Sequence, residues 1–225
     1  MPLILHLETA TSVCSVALSK ESELLSSREL NSGYSHSENL TVFCREVLKE
    51  AQIEFRELDA VSVSKGPGSY TGLRIGVSAA KGFCYSLDIP LIAIPTLKAM
   101  AYQALRKIPS SDEYLFCPMI DARRMEVYCA VFDGELKEIT PVNAHILDAN
   151  SFTDILKTNK IAFFGNGSSK AKDLLQGDAN AFFFEKLDPS ATAMVHLAEE
   201  AFEQKRFEDV AYLEPYYLKE FIGKK

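Results

Sequence analysis

KGPGSYTGLRIGVSAAKG, residues 65–82, is the stretch on which the reading of this chain turns. Gly66, Pro67, Gly68 and Gly72 permit a sharp turn with positive φ angles. Ser69 or Thr71 can cap the helix that follows, leaving free N–H groups that suit an anion. With the strand-like LDAVSVS (58–64) before it, the stretch has the strand, glycine turn and helix of many phosphate sites. It is not a Walker loop, because no Gly-Lys-Ser/Thr ends it, and it is not a dinucleotide fingerprint. The helix itself favours a second reading. Gly72, Gly76 and Ala80 recur every fourth residue, with Ser78, Ala79 and Gly82 nearby, although a glycine inside a helix costs about 1 kcal/mol relative to alanine. A flat face of small side chains lets another element approach closely, and the packing gained offsets that cost, either within this chain or in a partner.

The rest of the chain narrows the choice. Its 225 residues can bury a good core in one large α/β domain or two small ones. A formal net charge of -7 and a pI near 5.2 count against a free-standing nucleic-acid binder, since phosphate neutralisation by Lys and Arg supplies most of that affinity. The five cysteines, Cys14, Cys44, Cys84, Cys117 and Cys129, stand singly among apolar residues without a Cys-x-x-Cys pair, a pattern of reduced, buried thiols and a cytoplasmic protein. The N-terminal MPLILHLETA has no basic flank and is too short for a signal peptide or a membrane span, so it reads as a first strand.

Residues 2–8 and 13–19 read as a β-hairpin about the turn Thr9–Ser12, with a third strand in 24–30. Ser35 and Glu38 fit a capping box for a helix over 35–51 with one wide apolar stripe, the natural internal neighbour of the helix over 72–87. A short buried strand over 90–95 and a helix from Thr96 to Leu105 follow. The composition turns polar near 108–112, taken as the domain boundary. Beyond it, two strands surround a charged turn in LFCPMIDARRMEVYCAVFD, residues 161–164 form another strand, and 192–205 a helix.

Few residues suggest catalysis. His36, His145 and His196 are isolated, His6 lies within a strand, and no two stand at i, i+4 as a helical metal pair requires. Ser69 in Gly-Ser-Tyr-Thr-Gly is not a nucleophile elbow. Glu8, followed by Thr9 and Thr11, either holds a Mg²⁺ water above a phosphate or accepts N–H bonds from its own turn. Asp121, Arg123 and Arg124 at a strand turn are expected, like Arg74, to form ion pairs, with a buried role preferred. Gly165 and Gly167 flank Asn166 in a turn signal that is a nucleotide contact only by analogy.

In order along the chain, LHLETATSVCSVAL, HSENL, GPGSYTGLRIG, IDARRMEVY and YLEPYYLK resemble the bacterial TsaB family of tRNA threonylcarbamoyladenosine biosynthesis proteins, also called YeaZ or M22 glycoprotease-like. The resemblance implies an α/β, two-lobed actin-like ATPase fold of the sugar-kinase, Hsp70 and actin kind with ribonuclease H-like lobes. It implies a first lobe over 1–107 and a smaller one over 108–225 whose last ~20 residues return to the first. The implied function is that of a non-catalytic activating subunit for N6-threonylcarbamoylation of adenosine 37 in tRNAs reading codons that begin with A. Implied partners are a TsaD-like transferase and a TsaE-like ATPase, with a homodimer when alone, tRNA met mainly through the complex, and no membrane. In the transferase, the segment resembling PLIAIPTLKAM carries a metal-binding histidine pair; here those places are Thr96 and Met100, and neither replaces imidazole.

The partner interface is then expected on helices 35–51 and 72–87 through Leu40, Phe43, Val47, Gly72, Leu73, Gly76, Val77 and Ala80, with Gly76→Leu disrupting assembly more than folding. Glu8, Thr9, Thr11, Gly66, Gly68, Ser69, Gly165 and Gly167 form a vestigial nucleotide site. Glu8 stands where the family commonly has aspartate, which weakens inherited Mg-ATP coordination. No tightly bound cofactor is expected, ATP or ADP at a heterodimer interface being the one candidate. The alternatives are a self-sufficient ATP-binding kinase or hydrolase, or a peptidase acting on TsaD.

Overall fold

Leu3, Leu5 and Leu7 point to one face of the first strand, Ile4, His6 and Glu8 to the other, and all six are buried. A strand buried on both sides must be central. The computed structural model, which describes residues 2–31, 36–175 and 177–219, places it so. It divides into two units, 1–96 with 189–217, and 97–188 with 218–225. Ser35 of the expected capping box lies outside the described residues.

In the first unit, β1 (Leu3–Glu8) pairs antiparallel with β2 (Cys14–Lys20), which pairs antiparallel with β3 (Glu23–Leu30). After α1 (His36–Glu50), β4 (Ala60–Gly66) joins β1 in parallel; after α2 (Tyr70–Leu87), β5 (Leu91–Pro95) joins β4 in parallel. The sheet order is β3-β2-β1-β4-β5. Leu5, Leu7, Val16, Leu18, Val61 and Val63 bury one sheet face against Leu40, Val47, Val77 and Ala80 of the two helices. The other face carries His6, Ser62, Ser19 and Glu8, and a 3-10 turn (Ala191–Met194) with a later helix, Val195–Glu203, covers it.

The second unit repeats this plan. It opens with α3 (Thr96–Lys107), then β6 (Tyr114–Asp121), β7 (Glu126–Phe132) and β8 (Glu138–Ile146), consecutively antiparallel. After α4 (Thr153–Leu156) and α5 (Ser168–Leu175) come the parallel strands β9 (Lys160–Phe164) and β10 (Ala181–Phe184), on either side of α5, in the order β10-β9-β6-β7-β8. The helix Val195–Glu203 is α6. Two sheets with one strand order, three antiparallel strands then two parallel ones reached through helices, make a duplicated ribonuclease H-like α/β fold of the actin-like class.

The units part at Thr96/Leu97 rather than near residue 108. Leu97, Met100, Ala101 and Ala104 are apolar on one side of α3 and, with Ile108 just past its end, pack with Phe116, Phe132 and Phe164 in the second unit's core, so the helix goes where its stripe is buried. Strands β8 and β10 and helices α4 and α5 have no counterpart in the sequence reading. Strand β8 is a half-exposed edge strand interrupted by Pro141, which carries little alternation to detect.

Candidate functional site

The glycine turn is built by close backbone approach. Gly66 ends β4 with φ 108°, and a Cβ there would lie 2.7 Å from the carbonyl oxygen of Tyr216. The Gly66 N–H donates to Thr96 Oγ1 at 3.1 Å. A Cβ on Gly68 would meet the Ala10 carbonyl oxygen at 2.4 Å, and the Ser69 N–H donates to that same oxygen at 2.7 Å. Ser69 caps α2, its hydroxyl accepting from the Gly72 N–H at 3.3 Å.

Thr9 fills the space over the first turns of α2. Its hydroxyl donates to the Gly72 carbonyl at 2.8 Å, and a Cβ on Gly72 or Gly76 would lie 2.1 Å from Thr9 O or 2.3 Å from Thr9 Oγ1. The small-residue stripe therefore exists to admit this chain's own β1–β2 turn. Of the expected interface, Leu40, Val47, Gly72, Leu73, Gly76, Val77 and Ala80 are buried in the first unit, and Phe43 is half-buried against the same core. The opposite face of α2 is the open one. It exposes Thr71, Arg74, Ser78, Gly82 and Tyr85, with Ile75 and Ala79 half-buried between them; Tyr85 is 85% exposed and nothing lies within 4 Å of a Cβ built on Gly82. This second stripe was readable at the same helical spacing, one position away from the first.

Glu8 turns back on its own strand end. Its Oε1 accepts from the Ala10 N–H at 2.6 Å and the Ser64 hydroxyl at 2.8 Å, while Oε2 is buried without a partner. Burial, against those hydrogen bonds, pushes its carboxyl up from 4.5 to about 7. Thr11 Oγ1 accepts from the Val13 N–H at 3.3 Å, and the Thr11 carbonyl lies 2.8 Å from His36 Nε2. Glu8, Thr9, Thr11, Gly66, Gly68 and Ser69 thus come together, but their polar groups are bonded to neighbouring residues of this chain. The Ser69 and Gly72 N–H groups are taken, the Ala10 carbonyl faces the turn, and the acid is one that burial disfavours ionising. These residues do not fit a Mg-nucleotide. Gly165 and Gly167 belong to the second unit, where Gly165 (φ 91°) passes 2.4 Å, Cβ to oxygen, from Met119 O and the Gly167 N–H donates to it at 3.0 Å. They serve a tight strand-to-helix turn.

Among the described residues no group of three or more His, Cys, Asp and Glu could hold a metal ion. Thr96 is committed to Gly66, and Met100 is fully buried in the second unit. His6 touches Ser62 Oγ and Ser19 Oγ, each at 2.7 Å, a contact that resembles a serine and its base. It is wholly buried, and burial lowers its imidazole to about 3, so it neither meets a substrate nor gains a proton near neutrality. Burial likewise raises the Cys14, Cys44 and Cys84 thiols to about 11, 12 and 11, so these three stay protonated near neutrality.

The expected buried ion pairs are corrected. Arg74 is exposed, stacked 5.2 Å over the Tyr70 ring and donating to its hydroxyl at 2.9 Å; Tyr70 in turn packs on Tyr217 at 4.8 Å. Asp121 pairs with Lys170 at 2.7 Å, half-exposed, and Arg123 and Arg124 are exposed without an ion pair among the described residues.

Comparison with known proteins identifies relatives over most of the chain. The family described as "TsaD: tRNA N6-adenosine threonylcarbamoyltransferase" matches residues 31–220. The tRNA threonylcarbamoyladenosine biosynthesis protein TsaB of Haemophilus influenzae is 30% identical over 234 residues, 96% of this chain and 93% of that one. The protein of the same name from Buchnera aphidicola subsp. Acyrthosiphon pisum is 35% identical over 130 residues, spanning 58% of this chain and 57% of the relative. A solved Pseudomonas aeruginosa protein described as similar to peptidase YeaZ superposes with a TM-score of 0.82 at 27% identity, covering 97% of this chain and all 100% of that one. The polyphosphate/ATP-glucomannokinase of Arthrobacter shares the fold at a TM-score of 0.51 and 12% identity over 91% of this chain and 100% of that one. No helix among the described residues is long and apolar enough to cross a membrane.

Proposed function

This chain belongs to the TsaB family of tRNA threonylcarbamoyladenosine biosynthesis proteins, within the wider TsaD family, and on that premise we propose that it serves the synthesis of this nucleoside as a non-catalytic subunit. Its role is to bind and activate a TsaD-like transferase, with a TsaE-like ATPase, in N6-threonylcarbamoylation of adenosine 37. The observation that carries the reading is at Thr96 and Met100. Where the transferase of this fold needs imidazole ligands, this chain has a threonine hydroxyl that holds the Gly66 N–H and a methionine buried in apolar surroundings. Among the described residues the glycine turn, closed by Ala10 and Thr9, offers neither a metal nor a phosphate a seat.

What this unit does offer is a surface. Ile75, Ser78, Ala79, Gly82 and Tyr85 make an outward helix face of small residues with one exposed aromatic, a form suited to close helix packing. We assign transferase binding, and homodimer pairing in its absence, to this face. The buried stripe Gly72–Gly76–Ala80 is its internal support. Reduced, buried thiols accord with a cytoplasmic setting.

The test is a reconstitution with the cognate transferase and ATPase, threonine, bicarbonate, Mg-ATP and unmodified tRNA. Modified nucleoside is expected only when this chain joins the transferase, and none from this chain alone. Turnover of ATP or cleavage of protein by the isolated chain, with modification proceeding in its absence, would overturn the reading.

A further inference from the structure

The hairpin that joins β6 to β7 has no part in the surface assigned above. At its tip Arg123 and Arg124 stand side by side, exposed, with left-handed φ angles of 70° and 49°. That backbone costs a residue other than Gly, Asn or Asp roughly 1 kcal/mol or more, and adjacent like charges add repulsion. Hairpin hydrogen bonds hold the turn, the Ala122 N–H donating to Glu126 O at 3.1 Å and the Glu126 N–H to Arg123 O at 3.2 Å, but no carboxylate among the described residues pairs with either guanidinium. The nearby carboxylates are already engaged: Asp121 Oδ1 accepts from the Lys170 ammonium at 2.7 Å and from the Arg123 N–H at 2.6 Å, and Glu126 is held by Lys219. Lys219 Nζ also lies 6.0 Å over the Tyr128 ring, and the intervening Met125 is 46% exposed. Four cations, Arg123, Arg124, Lys170 and Lys219, thus gather about two carboxylates in a chain whose formal charge is -7.

We propose that the Arg123–Arg124 hairpin tip binds RNA backbone phosphates. Guanidinium groups present their N–H donors as a planar fork that matches a phosphate, and a rigid turn holds two of them with little left to order on binding. An open turn gives a small anion no enclosure, whereas a polyanion supplies successive phosphates and releases counterions as each is neutralised. The RNA is the tRNA of the reading above, on which this assignment rests; the hairpin adds to that complex a contact outside the transferase.

The experiment compares wild type with R123N/R124N and R123K/R124K. Asparagine accepts left-handed backbone, so the first variant keeps the turn and removes both charges. In the complex with the transferase, unmodified tRNA is titrated at several salt concentrations. The Asn variant is expected to assemble normally and melt at or above the wild-type temperature. It should bind tRNA about tenfold more weakly near 0.1 M salt, with a slope of log affinity against log salt shallower by roughly 1 to 2. The Lys variant should keep most of the slope. An Asn variant with wild-type affinity and slope overturns the assignment while leaving the subunit reading intact. If the wild-type chain forms no complex, the subunit reading fails by itself, and the isolated chains are then titrated with the same tRNA at low salt, where equal binding by wild type and Asn variant overturns the assignment. Anionic lipid vesicles that distinguish the two chains while tRNA does not would overturn it as well.

Discussion

Gly72 and Gly82 lie on one helix about three turns apart, and an added methyl group should act on them with opposite sign. At Gly72 the Cβ would sit 2.1 Å from the Thr9 carbonyl oxygen, a backbone atom that cannot swing away; at Gly82 it would meet nothing within 4 Å. Gly72→Ala should therefore destabilise by about 2 kcal/mol or more despite its better helix propensity, and Gly82→Ala should stabilise by roughly 0.5–1 kcal/mol, both read by denaturant unfolding. Two stabilised variants would refute the packing of Thr9 over α2. By the same geometry Gly76→Leu damages folding, not assembly alone, because Thr9 Oγ1 occupies the site at 2.3 Å. Glu8 sets a second test. Its carboxyl titrates at about 7 in the fold against 4.5 for the ordinary group, so the folded state binds the extra proton between those values. The stability it contributes is present below pH 4.5 and is lost as pH rises through 7. Glu8→Gln, which cannot ionise, should gain on wild type by up to ~3 kcal/mol between pH 4.5 and pH 8, whatever its offset at the acid end. A pH-independent difference would show that the carboxylate is not desolvated as described. His6, lowered to about 3 from 6.5, has the opposite sign in both proteins, adding stability as pH rises from 3 to 6.5, and cancels in the comparison.

Helix α2 has two stripes with different tasks. Gly72, Gly76 and Ala80 close on the strand end of their own chain, and Ile75, Ser78, Ala79, Gly82 and Tyr85 look outward. Tyr85→Ala combined with Gly82→Leu should leave the melting temperature within a degree or two of wild type, since the pair touches little of the core, yet weaken pairing with the transferase or with a second copy at least tenfold. Calorimetric titration and sedimentation measure this, and undiminished pairing by a folded double variant would move the interface elsewhere. The sequence reading put the partner interface on the inner stripe, which the structure buries beneath Thr9 of the same chain. Spacing alone cannot separate the two, because both recur every three to four residues and the glycine-rich one is the more conspicuous. What distinguishes them is Thr9, some sixty positions earlier in the chain, and no local pattern records that contact.

The chain passes from the first unit to the second at Thr96/Leu97 and comes back at Asp188/Pro189. The returning segment is fastened to the first unit by polar bonds: Ser190 Oγ donates to Glu29 at 2.7 Å, the Ala191 N–H to Ser15 Oγ at 3.0 Å, the Glu208 N–H to Leu91 O at 2.8 Å and the Tyr216 N–H to Lys65 O at 2.6 Å. A chain ended at Asp188 should therefore lose cooperative unfolding or solubility, because the sheet face bearing His6, Glu8, Ser62 and Ser64 is left to water. A soluble truncation melting like wild type would refute this. The β1–β2 hairpin, the capped helix after the glycine turn, the buried strand over 90–95 and the absence of a histidine pair were legible in the sequence, since each rests on period, turn chemistry or residue type within a few positions. The edge strand β8 and the short β10 were not, their alternation being blurred by partial exposure. The tertiary structure alone decided which unit claims α3, which stripe of α2 faces inward, and that Glu8 Oε1 and the Ser69 and Gly72 N–H groups find their partners within the chain. Each of those outcomes depends on groups tens of residues apart excluding water together, and burial of that kind is a property of the assembled core, not of any segment.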